Sequence, residues 1–323
     1  MARHLLDLFD LAPIEARALL DRAESAKKAD LRRPVLSGRV LGLIFEKPSL
    51  RTRVSFEAAM AHLGGSTIFL TGSEVGLGTR EPIADVARVL SGYLDAIAIR
   101  AFSHETVAEL ARHATVPVIN ALCDLAHPCQ ALGDALTIRE SLGGTDGARV
   151  AFIGDGNNVA RSLAVACALL GMSFVLASPP GYAFPPSFLD RFRAVLPDRM
   201  PALEADPVAA ARGADVVYTD VWASMGQEHE IAARRAAFGP YQVSESLLAA
   251  ARPGAIFLHC LPAHRGEEVA ASVIDGPQSR VFMQAENRLH IQKALLLWLL
   301  EEEPALSRSA PPRRPVRRGR FGT

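Results

Sequence analysis

Ser49, Arg51, Thr52 and Arg53 fall within one short stretch of the segment FEKPSLRTRVSFE, and their chemistry suits a phosphate. The apolar run VLGLIF leads into a lysine-proline turn, after which Ser49-Leu50-Arg51-Thr52-Arg53 opens a helix. The first N–H groups of a helix have no partner inside it and sit at the positive end of its dipole, so they receive an anion readily. Two guanidinium groups and two hydroxyls add charge-assisted donors to the same turn. Two further segments carry polar groups beside apolar runs: Arg100 closes AIAIR, and His127 opens His127-Pro128-Cys129-Gln130.

The elements that must hold these groups read as alternating strands and helices. VLGLIF, STIFLTG, AIAIR and VPVIN are short β-rich runs, followed in turn by helical stretches from about Arg51, from Pro82 to Leu94, over HETVAELARHA and from His127. The pattern restarts after Gly143 and Gly144, with RVAFIG, FVLAS, ADVVYTD and AIFLHCL as strands. NVARSLAVACALL, residues 187–195 and a stretch near Ser244 read as the helices between them. This predicts an α/β chain of two domains, each a parallel β-sheet flanked by helices, joined by interdomain helices. The first domain is expected over residues 1–140 and the second over 141–287, with a closing helix at about 288–303 that packs back on the first. Residues 304–323, ending in PPRRPVRRGRFGT, lack apolar periodicity and read as a disordered basic tail.

Composition narrows the function classes. The 323 residues are 49% hydrophobic, enough for two domains with cores of their own. Lysine plus arginine equals aspartate plus glutamate at 35 each, so no overall field recruits nucleic acid or an anionic membrane, and an anionic ligand must be held by local clusters. Cys123, Cys129, Cys167 and Cys260 show neither C-x-x-C spacing nor zinc-ligand intervals, and read as free thiols of a reducing, cytoplasmic compartment. The opening segment has acids among its apolar residues, unlike a signal peptide, and no run is long enough to span a membrane. GDGNNVARS, after the strand RVAFI, suggests a dinucleotide turn, but Val159 stands at the third glycine position and no acid ends the next strand, FVLAS.

Taken in order, these segments resemble the aspartate and ornithine carbamoyltransferase superfamily, over nearly the whole chain up to about Leu300. Ser49-Leu50-Arg51-Thr52-Arg53 looks like its S-T-R-T-R carbamoyl-phosphate signature with Leu50 in place of threonine, at a position that contributes chiefly through backbone. The resemblance places Arg100 and the H-P-x-Q residues His127, Pro128, Cys129 and Gln130 in the same site, with Arg288 reaching back from the last helix. Asn158 matches an asparagine that contacts ornithine, and its amide offers both donor and acceptor to a zwitterion. In YTDVWASMGQE, Asp220 would pair with the α-amino group, and Ser224-Met225-Gly226 resembles the S-M-G loop that closes over ornithine. FLHCLPAHRGEEV resembles the H-C-L-P signature of the ornithine enzymes, in which Cys260 and Leu261 would offer carbonyl oxygens to the carbamoyl amide. In EVGLGTREP the family commonly has Gln or His, reaching from a neighbouring subunit to the phosphate, where this chain has Gly76.

The activity so implied is transfer of the carbamoyl group of carbamoyl phosphate to the side-chain amine of L-ornithine, giving L-citrulline and phosphate, in arginine biosynthesis. Arg51, Arg100, His127, Asp220 and Cys260 are the expected catalytic set, with no metal or organic cofactor, in a homotrimer or a multiple of trimers. N-acylornithine and putrescine carbamoyltransferases are the neighbouring alternatives, and the S-M-G loop separates them from this chain. A non-catalytic homologue, or a nicotinamide-dependent oxidoreductase suggested by GDGNN alone, is a different class.

Overall fold

A computed structural model describes residues 2–223 and 228–300 of the chain, which fold around two parallel sheets. After α1 (Pro13–Lys28), the first sheet is built from β1 (Val40–Phe45), α2 (Leu50–His62), β2 (Ser66–Thr71), α3 (Gly72–Val75), α4 (Ile83–Ser91), β3 (Ala96–Arg100), α5 (His104–His113) and β4 (Val118–Leu122). Its strand order is β2-β1-β3-β4. Every residue of β3 is buried, as a strand covered by helices on both faces must be, whereas β2 at the edge is only partly covered. β4 begins at Val118, later than VPVIN suggests, because Pro117 has no N–H to give to the ladder.

The long helix α6 (Pro128–Leu142) leads to the second sheet: β5 (Arg149–Ile153), α7 (Asn158–Leu169), β6 (Ser173–Ala177), α8 (Pro186–Val195), β7 (Ala202–Glu204), α9 (Pro207–Ala211), β8 (Val216–Thr219), α10 (Ile231–Phe238), α11 (Glu245–Ala249), β9 (Ile256–His259) and α12 (Ala271–Ile274). The strand order is β7-β6-β5-β8-β9. β7 went unpredicted, since three exposed residues, Ala-Leu-Glu, carry no readable alternation.

The final helix, α13 (Val281–Leu300), leaves the second sheet and packs on α1, α2 and α6. It starts about two turns before the expected position near Arg288. The cause lies beside β9, where Phe257 N–H donates to Gln278 and Arg280 N–H donates back to Phe257, so the chain is paired up to the residue before the helix. The polar residues Gln284 and Asn287 hid this start, because they are buried against partners on other helices. One apolar cluster continues from Leu41 and Phe56 through Leu136, Leu163 and Leu295 to Phe152 and Tyr218, so helices α6, α7 and α13 give the two sheets a shared interior.

In each sheet the order reverses beside a central strand, between β1 and β3 and between β5 and β8. Loops leaving the carboxyl ends of such strands diverge and open a crevice. The two crevices face one another.

Candidate active site

A cleft of about 1020 Å³ lies between the two crevices, lined from the first sheet by Ser49, Leu50, Arg51, Thr52, Arg100, His127 and Gln130 and from the second by Asn158, Asp220, Cys260 and Leu261, with Arg288 from α13. Ser49 caps α2, its Oγ accepting from the Thr52 N–H at 3.3 Å and donating to Thr52 Oγ1 at 3.0 Å. Arg288 Nη2 donates to the same Oγ1 at 2.8 Å. With both lone pairs engaged, the Thr52 hydroxyl has its own proton left to donate into the cleft.

Arg100 and Arg288 are 6% and 3% exposed, and the Nε of each has no partner among the described residues. Burial, then the neighbouring Arg288 and Arg51, pull the Arg100 guanidinium down to about 10, so it is still charged at neutral pH. Lys47, on the same rim, is lowered by burial and by Arg100. His127 sits at the N-cap of α6, where its backbone N–H donates to Ser162 Oγ at 2.8 Å and its Nδ1 is unpartnered. Burial and the positive charges of Arg288 and Arg100 hold the imidazole well below its ordinary range, so it is neutral.

On the facing side, Asp220 ends β8 and accepts from Asn157 Nδ2 at 2.8 Å, from the Val221 N–H at 2.8 Å and from the Cys260 thiol at 2.9 Å. Burial and the Asp220 carboxylate push that thiol well above its usual range, so it serves as a neutral donor and not as a thiolate. Beyond it, Leu261 N–H donates to His259 Nδ1 at 2.9 Å, and His259 Nε2 meets Glu268 Oε1 at 3.2 Å. Leu261, with φ of 57° before a cis peptide to Pro262, is thereby tied at a tight corner facing the cleft. Asp220, His259 and Cys260 have potential metal-ligating atoms within 4.8 Å of one another, but both His259 ring nitrogens are engaged and the thiol is protonated.

Some expected residues lie elsewhere. Pro128 and Cys129 do not line the cleft; the Cys129 thiol is buried among the helices, donates to the Asn120 carbonyl at 3.7 Å and is pushed up to about 12 by burial. Two residues on in a helix is more than half a turn, which also sends Arg53 away from Arg51, to Glu57 at 2.9 Å and over the Phe69 ring. Gly76 closes α3 at φ 62° and does not line this chain's own cleft, as a position expected to reach a neighbouring subunit's site need not. Asn158 lines the cleft while its amide donates to the Cys123 carbonyl at 2.6 Å. Ser224, Met225 and Gly226 lie outside the described residues, as does the tail from Pro304.

GDGNN has a protein-internal explanation. Asn157 Oδ1 accepts from both the Val159 and Ala160 N–H groups at 3.0 Å, so the donors a pyrophosphate would use at the start of α7 are already capped. A Cβ on Gly156 would lie 2.8 Å from the backbone of Ala183 and Phe184, which crosses above the turn.

Several groups escaped sequence reasoning. Asn157 was one residue from the asparagine singled out. Arg234, 5% exposed, binds Asp155 at 2.7 Å, Glu230 at 2.7 Å and the Trp222 carbonyl at 3.0 Å, and so ties both flanks of residues 224–228 to the GDGNN turn. An arginine in the helical run IAARRAAF gave no signal of this.

Residues 3–140 match the carbamoyl-P binding domain, and residues 146–299 the Asp/Orn binding domain, of aspartate/ornithine carbamoyltransferase. The chain belongs to the aspartate/ornithine carbamoyltransferase family. Within it, the chain is 55% identical over 304 residues to the ornithine carbamoyltransferase of Acidothermus cellulolyticus, covering 93% of this chain and 97% of that one. It is 52% identical over 300 residues to the Bacillus subtilis ornithine carbamoyltransferase, covering 92% and 94%. Among solved structures, ornithine carbamoyltransferase from Pyrococcus furiosus superposes with a TM-score of 0.88 at 49% identity, covering 93% of this chain and 97% of that one. The Thermus thermophilus enzyme gives a TM-score of 0.85 at 48% identity, covering 93% and 100%.

Proposed function

We propose that the chain transfers the carbamoyl group of carbamoyl phosphate to the side-chain amine of L-ornithine, releasing L-citrulline and phosphate. One observation carries this reading: Arg100, Arg288, His127 and Gln130 line one side of a cleft whose other side presents Asp220, and each keeps a buried polar atom, Nε, Nε, Nδ1 and Oε1 in turn, without a partner among the described residues. Cationic donors on the first wall suit a phosphate and a developing oxyanion. A carboxylate on the second suits an ammonium group.

Carbamoyl phosphate occupies the start of α2, with Arg51, Arg100 and Arg288 neutralising the phosphate. The ornithine amine loses a proton and attacks the carbamoyl carbon. A tetrahedral intermediate forms, its oxyanion held by Arg100, the neutral His127 and the Thr52 hydroxyl. The C–O bond to phosphate then breaks, its electron pair leaves on the phosphate, and the extra proton on the attacking nitrogen passes to a phosphate oxygen. Cys260 donates to Asp220 and orients that carboxylate toward the amino groups; a protonated thiol does not serve as the base. The subunits assemble as trimers, a reading supported by the exposed side chains of Leu50, Val54 and Ile68 around α2 and the β2 edge.

Citrulline formation by the purified chain tests the proposal, with ornithine, N-acetylornithine, putrescine and aspartate offered separately. Turnover with ornithine well above the others is expected. Preference for another amine overturns the acceptor, and turnover with none overturns the enzyme.

A further inference from the structure

We infer that Asp134, which lies behind the cleft, is a positioning residue that fixes which end of the Gln130 amide meets the ligand, and thereby makes the site prefer a carbamoyl group to an acyl group; this rests on the carbamoyl transfer proposed above. An amide's oxygen and nitrogen are nearly equal in shape, so only their partners decide the orientation. The reference point here is a backbone group that can only donate. The His259 N–H donates to Gln284 Oε1 at 2.9 Å, which turns Gln284 Nε2 toward Asp134 Oδ1 at 2.6 Å and the Tyr218 hydroxyl at 3.0 Å. Tyr218, accepting from Gln284, gives its own proton to Asp134 Oδ2 at 3.1 Å.

Donors therefore point at both oxygens of Asp134, and a carboxylate only accepts. Gln130, 2.8 Å from Asp134 Oδ1, must show it Nε2, and its Oε1 is then left without a partner among the described residues, on a residue that lines the cleft. Gln130, Asp134, Tyr218 and Gln284 are each 1% exposed or less, so bulk water cannot compensate a flipped amide. Among the described residues, Arg288 is the cation that acts on Asp134; Tyr218, Cys167 and Cys260 face it uncharged from the other elements. The ligand chemistry follows. A carbamoyl group ends in an NH2 that can donate to an inward acceptor, whereas an acyl group ends in a methyl that cannot, and would leave Gln130 Oε1 buried and unsatisfied.

Two stable phosphonates separate these cases: phosphonoacetamide, which keeps the amide, and acetonylphosphonate, which has a methyl in its place. Their affinities are measured by calorimetry for the native protein, Asp134→Leu and Asp134→Asn. The native protein should favour the amide about tenfold. Asp134→Leu should bring the ratio close to one, and Asp134→Asn, whose amide oxygen can still accept from Gln130, should retain most of it. A role in packing alone would weaken both phosphonates together, so an unchanged ratio in folded Asp134→Leu overturns the inference. Should that variant not fold, neutron diffraction from deuterated native crystals decides: deuterons of Gln130 facing Asp134 support the assignment, and deuterons facing the cleft overturn it. A native protein that binds neither phosphonate would refute the carbamoyl-phosphate site itself.

Discussion

His127 shows how a residue's work is set by what surrounds it. Burial beside Arg100 and Arg288 keeps the ring neutral, so it can donate one hydrogen bond to an oxyanion without adding a third charge. His127→Ala should lower kcat by about 10²-fold while the KM for carbamoyl phosphate changes much less, because the lost contact matures in the transition state; steady-state kinetics with the reverse pattern would assign the ring to phosphate binding. Asp134 gives a second test at this scale. Burial raises its carboxyl from the ordinary aspartate range to about 6, so the folded state holds its proton more tightly than the unfolded chain does. The stability this contributes is fully present below pH about 4 and is lost as pH rises through about 6. Relative to Asp134→Asn, the native protein should thus lose about 3 kcal/mol of unfolding free energy between pH 3.5 and 7, read from urea titrations at each pH. The clustering of Ser49, Arg51 and Arg100 was legible because each stands at an apolar run's end. Asn157, Asp134 and Arg234 were not, since each has a decisive partner far along the chain: Asp220 is 63 positions from Asn157, Tyr218 is 84 from Asp134 and Asp155 is 79 from Arg234.

At the level of elements, the parallel sheets could be read from runs such as AIAIR and RVAFI, whose continuous apolar character marks strands buried on both faces. What could not be read is where polar residues serve as core: the start of α13 looked like a loop because Gln284 and Asn287 are polar, and only tertiary partners make them interior. The GDGNN turn misleads in the opposite sense, its Gly156 suiting the crossing of residues 183–184 and not a cofactor. Gly156→Ala should therefore cost about 1–3 kcal/mol of stability. It should also raise the KM for ornithine, since Asn157 is displaced from Asp220. Calorimetric unfolding and acceptor titration check the two effects, and an unaltered melting temperature would show that residues 183–184 yield freely.

Across the whole molecule, the cleft of about 1020 Å³ stands at the upper end of the volumes typical of small-molecule sites, and its two walls belong to different sheets. Carbamoyl phosphate together with an ornithine analogue lacking the terminal amine should draw those walls together, so the radius of gyration in X-ray scattering should fall; equal values with and without the pair would mean that the walls are already at their working separation. The interior shared through α6, α7 and α13 lets such movement pass between sheets without exposing separate cores. α13 has one more consequence, which concerns synthesis on the ribosome. Strands, crossovers and most of the catalytic groups emerge before Val281, yet Arg288 and the cover over α1, α2 and α6 come only afterwards. A nascent chain can thus form both sheets early while its phosphate pocket lacks one wall, and a translation product cut short within the last helix would be left with apolar helix faces open to chaperones and proteases.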